Sequence, residues 1–208
     1  MTRLHGLALI LALLCGALSC QIPAAKSDSI TKTQRAEAGQ GAPHVTTRTP
    51  LHLPLNKPSI VVKKGRRELL LFSAGQVVRT YRVGLGLSPI GDKVRAGDRR
   101  TPEGSFYIFT KNPQSAFYLS LGVSYPNAEH AQRGLRDGLI SKAQYTKIID
   151  ALNRKVTPLQ NTALGGTIYI HGRGASSDWT WGCVALDDPD IKELYDAVET
   201  RTPVTIEP

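Results

Sequence analysis

Residues 168–188 read IYIHGRGASSDWTWGCVALDD, and most of the chemistry of the chain is concentrated there. The run TIYIH (167–171) is β-prone and ends on His171, so the histidine is expected at the end of a strand. Cys183 follows twelve residues later, close enough to return to His171 if the intervening loop folds back. A free thiol with a pKa of about 8.5 is only a few per cent thiolate at neutral pH, so a nucleophilic cysteine needs a base beside it. Gly172 follows the histidine and Gly182 precedes the cysteine; Gly182 lets backbone approach closely and aims amides at a developing oxyanion. Spacing alone leaves a second reading open, a core cysteine next to a hydrogen-bonded histidine.

Working outward, short β-prone runs separated by turns begin at 59. They are SIVVK (59–63), ELLLF (68–72), QVVRTYRV (76–83), SFYIFT (105–110), FYLSLGV (117–123) and PVTIE (203–207), besides TIYIH. Lys64-Gly65 and Ala74-Gly75 mark the first two turns, which makes 59–83 a meander. Ser141 with Gln144 three residues on is a capping-box signature, and Tyr145, Ile148, Ile149 and Leu152 follow at helical spacing. The segment 126–160 therefore reads as a helical insert, expected beside the cleft because it precedes the strand that carries His171. Asp188-Pro189 fits an N-cap and first helical residue, with Ile191, Leu194, Tyr195 and Val198 as the buried stripe of a short helix after Cys183. The body is one mostly β domain with a helical insert between two strands.

The amino terminus bears on compartment. Arg3 precedes the apolar run LALILALL (7–14), which is too short to span a bilayer but fits a secretory signal. Small residues then lead to Cys20 in GALSC, an ending that resembles a bacterial lipoprotein signal; an ordinary cleaved signal with an incidental cysteine is the alternative. Residues 1–19 are expected to be the signal peptide. Lipid is expected on Cys20, with outer-membrane delivery preferred because Gln21 rather than Asp follows. Residues 20–56 are rich in small, polar and Pro residues and read as a flexible tether with a reach on the order of 30 Å. The domain then occupies 57–208.

The net charge of +9 favours an anionic partner, and export excludes nucleic acid in favour of lipid or cell wall. Three cysteines cannot build a disulfide framework, and the five histidines lack ligand spacing, so no metal is expected. Gly84, Gly86 and Gly91 do not fit the dinucleotide-binding spacing. Arg173 could grip a carboxylate, and Trp179 or Trp181 could stack on a sugar, although loop and packing roles account for such residues equally well.

The segment resembles the active-site box of the L,D-transpeptidase (YkuD-type) catalytic domain family, in which His-Gly precedes [S/T]-H-G-C-h-[R/N]. His171-Gly172 match its first part, and Thr180, Gly182, Cys183 and Val184 its second. Thr101-Pro-Glu-Gly104 resembles the family's T-P-x-G turn. Trp181 stands where the box has His, and Ala185 where it has Arg or Asn. DWTWGCVAL is similar to a divergent branch with W-T-x-G-C-[IV]-A-L. The resemblance implies a β-sandwich-like catalytic domain. It implies Cys183 as nucleophile and His171 as base, oriented by the carbonyl of Gly172. The amides of Gly182 and Cys183 become the oxyanion hole, and Arg173, Thr180 and Trp181 become substrate-binding candidates. The partners implied are peptidoglycan stem peptides and an amine acceptor, either a second stem peptide or a wall-linked protein, with no cofactor. A thiol hydrolase on the same scaffold, and a wall-binding module with a structural Cys183, stay open at this point.

Overall fold

The computed structural model describes residues 48–208. The signal segment 1–19, Cys20 and the tether as far as residue 47 lie outside the described residues.

The meander is built from β1 (Ser59–Lys63), β2 (Glu68–Ser73) and β3 (Gln76–Arg82), paired antiparallel in succession. Period-two alternation sends Ile60, Val62, Leu69 and Leu71 into the core and leaves their neighbours on the outer face. Ala74 and Gly75 both take positive φ, the backbone a two-residue hairpin turn requires. β8 (Pro203–Glu207) then pairs parallel to β1 and antiparallel to β4 (Gly104–Ser115).

β4 continues five residues past the predicted run and is bulged at two places, between Ile108 and Thr110 and between Asn112 and Ser115. Bulges bend a strand and increase its twist. β4 accordingly pairs with β8 through its first residues and with β5 (Tyr118–Val123) through the rest. β6 (Tyr169–His171) lies antiparallel to β5, and the two-residue β7 (Val184–Ala185) lies parallel to β6. The result is a single curled sheet of eight strands in the order β3-β2-β1-β8-β4-β5-β6-β7. Its two ends meet where Gly84 exchanges backbone hydrogen bonds of 2.9 and 2.8 Å with Ala185. One apolar core fills the curl, with residues from every strand and from α3 (Asp188–Ala197), whose Ile191 and Leu194 are fully buried.

The helical insert comprises α1 (Ala128–Arg136) and α2 (Lys142–Asn153). Ser141 and Gln144 form the reciprocal capping box, while α1, not foreseen as a separate helix, is capped by Asn127 Oδ1 accepting from the His130 amide. The pair carries its own apolar cluster around Ala131, Ile140, Ile148 and Leu164. α3 starts one residue earlier than expected: Asp187 is the N-cap and Asp188 the first helical residue. Neither carboxylate caps the first turn, because Asp187 accepts from the Ala175 amide and Asp188 from the Arg173 amide. Residues 48–56, the end of the expected tether, lie against this domain: Leu51 and Leu55 pack on the core, and Arg48 pairs with Asp190 at 2.6 Å.

Candidate active site

Strand register brings His171 and Cys183 together. β6 and β7 run parallel with Ile170 opposite Val184 and His171 opposite Ala185, which sets Cys183 level with Tyr169. Residues 169 and 171 share one face of the strand, so the thiol and the imidazole fall on the same side of the sheet. The loop between them is folded back by backbone hydrogen bonds from Gly174 to Leu186 and from Leu186 to His171, both 2.8 Å.

His171 is buried and hydrogen-bonded through Nδ1 to the carbonyl of Gly172 at 2.7 Å. A carbonyl can only accept, so Nδ1 carries the proton and Nε2 keeps its lone pair. The ring is stacked on Phe117, with centroids 4.6 Å apart, and edge-on to Trp179 at 5.5 Å. Burial pushes the His171 pKa down, overriding the opposite pull of the Gly172 carbonyl. Burial also pushes the Cys183 thiol up, outweighing the Tyr169 amide 3.4 Å from Sγ and the more distant Lys93 ammonium. Both shifts favour a neutral thiol and a neutral imidazole near pH 7. Both line a cavity of about 370 Å³, whose wall also includes Phe117, Ser120, Thr167 and Tyr169.

The turn that presents Cys183 is held from below. Gly182 has a φ of +125°, and a Cβ there would lie 2.6 Å from the Arg100 carbonyl oxygen. Buried Thr180 accepts from the Gly182 amide at 3.1 Å and donates to the Cys183 carbonyl at 2.8 Å. Thr180 thus shapes the turn of Cys183 from within the protein, a different position from the substrate contact expected of it. The Gly182 amide, expected in an oxyanion hole, is likewise engaged by Thr180; the Cys183 amide has no hydrogen-bond partner among the described residues. Thr101, of the T-P-x-G turn, accepts from the Gly86 amide at 3.0 Å and reaches the same Cys183 carbonyl at 3.5 Å.

The other candidates separate. Arg173 is exposed on the loop at positive φ, and neither it nor Trp181 lines the His171 cavity. Trp181 is 66% exposed, with the Arg99 guanidinium 4.8 Å from its ring centroid. Trp179 donates to the Gly174 carbonyl. No residue of 126–160 lines the cavity either, so the insert is not its wall. Phe117 and Tyr169 also line the cavity, and the sequence had not singled them out. Tyr169 was accessible through alternation with His171, whereas Phe117 arrives from the β4–β5 hairpin with no local signal. Among the described residues, no group of three or more His, Cys, Asp or Glu side chains is placed to hold a metal ion.

A curled β-sheet that sets a cysteine and a carbonyl-oriented histidine at the ends of two parallel strands defines the class. The sequence profile of the YkuD L,D-transpeptidase catalytic domain matches residues 57–206, and the chain belongs to that family. No match is found among curated proteins. Similar solved structures include an L,D-transpeptidase from Mycobacterium smegmatis, at 12% identity over 73% of this chain and 59% of that one, with a TM-score of 0.44. An L,D-transpeptidase from Xylanimonas cellulosilytica is similar at 15% identity over 76% and 64%, with a TM-score of 0.44. The helical cell shape determining protein Pgp2 from Campylobacter jejuni is similar at 21% identity over 72% and 47%, with a TM-score of 0.47. The chain spans less than two thirds of the length of these relatives.

Proposed function

We propose that the protein is an envelope-anchored cysteine acyltransferase that acts on peptidoglycan stem peptides. The observation that carries this reading is that Cys183 and His171 line one cavity while the Gly172 carbonyl fixes the Nδ1 proton, which leaves Nε2 as the free base. His171 Nε2 takes the thiol proton as Cys183 Sγ attacks the carbonyl carbon that follows the L-centre of a diaminopimelate residue. The C–S bond forms, and the carbonyl oxygen becomes an oxyanion that the Cys183 amide is free to bind. Collapse breaks the C–N bond. The imidazolium returns its proton to the departing D-Ala amine, leaving a thioester on Cys183. An acceptor amine, relieved of a proton by His171, then attacks the thioester and regenerates the thiol.

A neutral starting pair suits this sequence, because no buried ion pair has to form before substrate has displaced water. The family membership supports the substrate class. The test is mass spectrometry of muropeptides incubated with the full chain in detergent. The expected result is loss of D-Ala with formation of a new amide to an added amine. Loss of D-Ala without a new amide would assign a hydrolase, and no covalent adduct on Cys183 would remove the enzyme reading.

A further inference from the structure

A second recess shares no residue with the His171 cavity, and one of its lining residues, Arg100, has its carbonyl against Gly182 in the turn of Cys183. It encloses about 490 Å³ and is lined by Ser88, Arg95, Asp98 and Arg100, with Asp137 and Leu139 from the connection between α1 and α2. The helical insert therefore walls this recess rather than the His171 cavity. The acidic lining is already spent. Asp98 accepts from Lys93 Nζ and the Arg100 amide through one oxygen and from the Val94 and Arg95 amides through the other, and Asp137 pairs with Arg136. Arg95 and Arg99, by contrast, make no ion pair with any described residue, and Arg100 meets only the Asp92 carbonyl, at 3.3 Å. Arg95 and Arg100 thus bring guanidinium groups without an ion-pair partner into the recess, while Arg99 lies outside its lining, over Trp181.

The backbone carrying these arginines is rigidly placed against the turn of Cys183. A Cβ at Gly86 would lie 2.2 Å from the Arg99 carbonyl oxygen, and one at Gly182 would lie 2.6 Å from that of Arg100. The Arg99 carbonyl also accepts from the Ser88 amide at 3.0 Å. Arg99 lies over the exposed ring of Trp181, which extends the basic surface to the residue two before the nucleophile.

We propose that Arg95, Arg99 and Arg100, with the ring of Trp181, form a subsite for the carboxylates of an anionic peptide stem held next to Cys183. This rests on the acyltransferase reading for the identity of the peptide, and on the geometry alone for the choice of carboxylate. A guanidinium fork matches a carboxylate in two parallel hydrogen bonds, and several forks on one rigid segment select a ligand with more than one such group.

The test is binding of a wall tetrapeptide to the full chain carrying Cys183→Ala, by calorimetry at low and high salt, with and without Arg95→Gln and Arg99→Gln. Melting temperature checks that the variants fold. The double variant is expected to weaken peptide binding about ten-fold at low salt and to lose most of the salt dependence. The same peptide with its carboxylates amidated is expected to bind the unsubstituted arginines as weakly as the acid form binds the variant. Equal affinity of the acid peptide for both chains would overturn the subsite. So would a variant that loses only inorganic phosphate or anionic phospholipid vesicles while keeping the peptide. If the native chain turns over no wall peptide but arginine-dependent binding persists, the acyltransferase reading falls and the subsite stands.

Discussion

Phe117 lies flat on His171, with ring centroids 4.6 Å apart and an interplanar angle of 29°, and its carbonyl accepts from the Gly172 amide at 3.0 Å. One hairpin residue therefore both covers the imidazole and holds the amide of Gly172, the residue whose carbonyl fixes the Nδ1 proton. Covering withholds water, and burial is what lowers the His171 pKa. Phe117→Ala is expected to let that pKa rise toward its ordinary value of about 6.5. The acid limb of kcat/KM should move to higher pH, with activity several-fold lower near pH 6 and much less affected near pH 8. The same titration acts on stability. A histidine with a lowered folded pKa contributes stability above the unfolded value, and this is lost as pH falls from about 6.5 to the folded pKa. Urea unfolding across that window should show a shallower fall in the variant, and an unchanged slope and acid limb would deny Phe117 this role.

Thr180 links the two ends of the nucleophile turn with a single buried hydroxyl. Thr180→Val keeps the shape and leaves the Gly182 amide and Cys183 carbonyl without that partner, at a cost of about 1–3 kcal/mol. Turnover should fall about ten-fold or more as the thiol loses its fixed position. Gly182→Ala should be worse, since it adds a clash with the Arg100 carbonyl to an unfavourable φ of +125°. Retained activity with a lowered melting temperature in Thr180→Val would confine the hydroxyl to stability.

Asp92 ties the helical insert to the loop under the nucleophile. It meets His130 Nε2 at 3.0 Å and Arg133 at 2.9 Å, and accepts from the Glu103 amide at 2.8 Å. Burial draws its pKa upward, but the hydrogen bonds from His130, Glu103 and Arg133 prevail and hold it well below the usual carboxylate range. A carboxylate so lowered contributes stability above its unfolded pKa of about 3.9 and loses it as pH falls toward the folded value. Asp92→Asn should cost about 1–3 kcal/mol at neutral pH and less in acid. Hydrogen exchange should report it first in α1 and α2, and protection there equal to wild type would show that the insert is held by its apolar cluster alone.

Much of this was legible in the residues. Alternation and turn chemistry locate seven of the eight strands, and the capping box locates α2. Cys183 and His171 emerge from the glycines that flank them. β7 is only two residues long, too short for any periodic signal, and yet it sets the register that delivers Cys183. The distribution of hydrogen bonds was equally illegible. Thr180 and the Gly182 amide satisfy one another because the turn is buried, and burial of a loop depends on the whole fold. Phe117 reaches the His171 cavity from a distant hairpin, so local sequence carries no trace of its proximity.

Cys20 lies outside the described residues, and its role is a separate test. Cys20→Ala is expected to move the protein from the membrane fraction to the soluble fraction of cells while leaving the catalytic domain folded. Several acyl chains bind a bilayer far more firmly than one, so release should be nearly complete. Intact mass of the native amino terminus would decide it directly: an unmodified cysteine would end the anchoring proposal.

The division of labour between Cys183 and His171 can be read from pH. Cys183→Ala should abolish acylation, because buried Thr180 is already committed to two backbone partners. His171→Ala keeps the thiol but removes the acceptor of its proton, and should slow acylation by about 10²–10⁴-fold. Raising the pH supplies thiolate directly and should restore part of that loss. Burial places the Cys183 pKa above that of an ordinary thiol, so recovery should begin at higher pH than for a free cysteine. In the native chain both shifts favour the neutral pair as the starting form. Its activity should therefore persist from below the ordinary histidine pKa up to above the ordinary thiol pKa, a broader plateau than an exposed thiolate–imidazolium pair would give. Alkylation by iodoacetamide and turnover of tetrapeptide stems, each measured against pH, separate the roles. Full turnover by Cys183→Ala would remove the thioester altogether. A His171→Ala chain with wild-type turnover at pH 7 would instead keep the nucleophile and assign its base elsewhere.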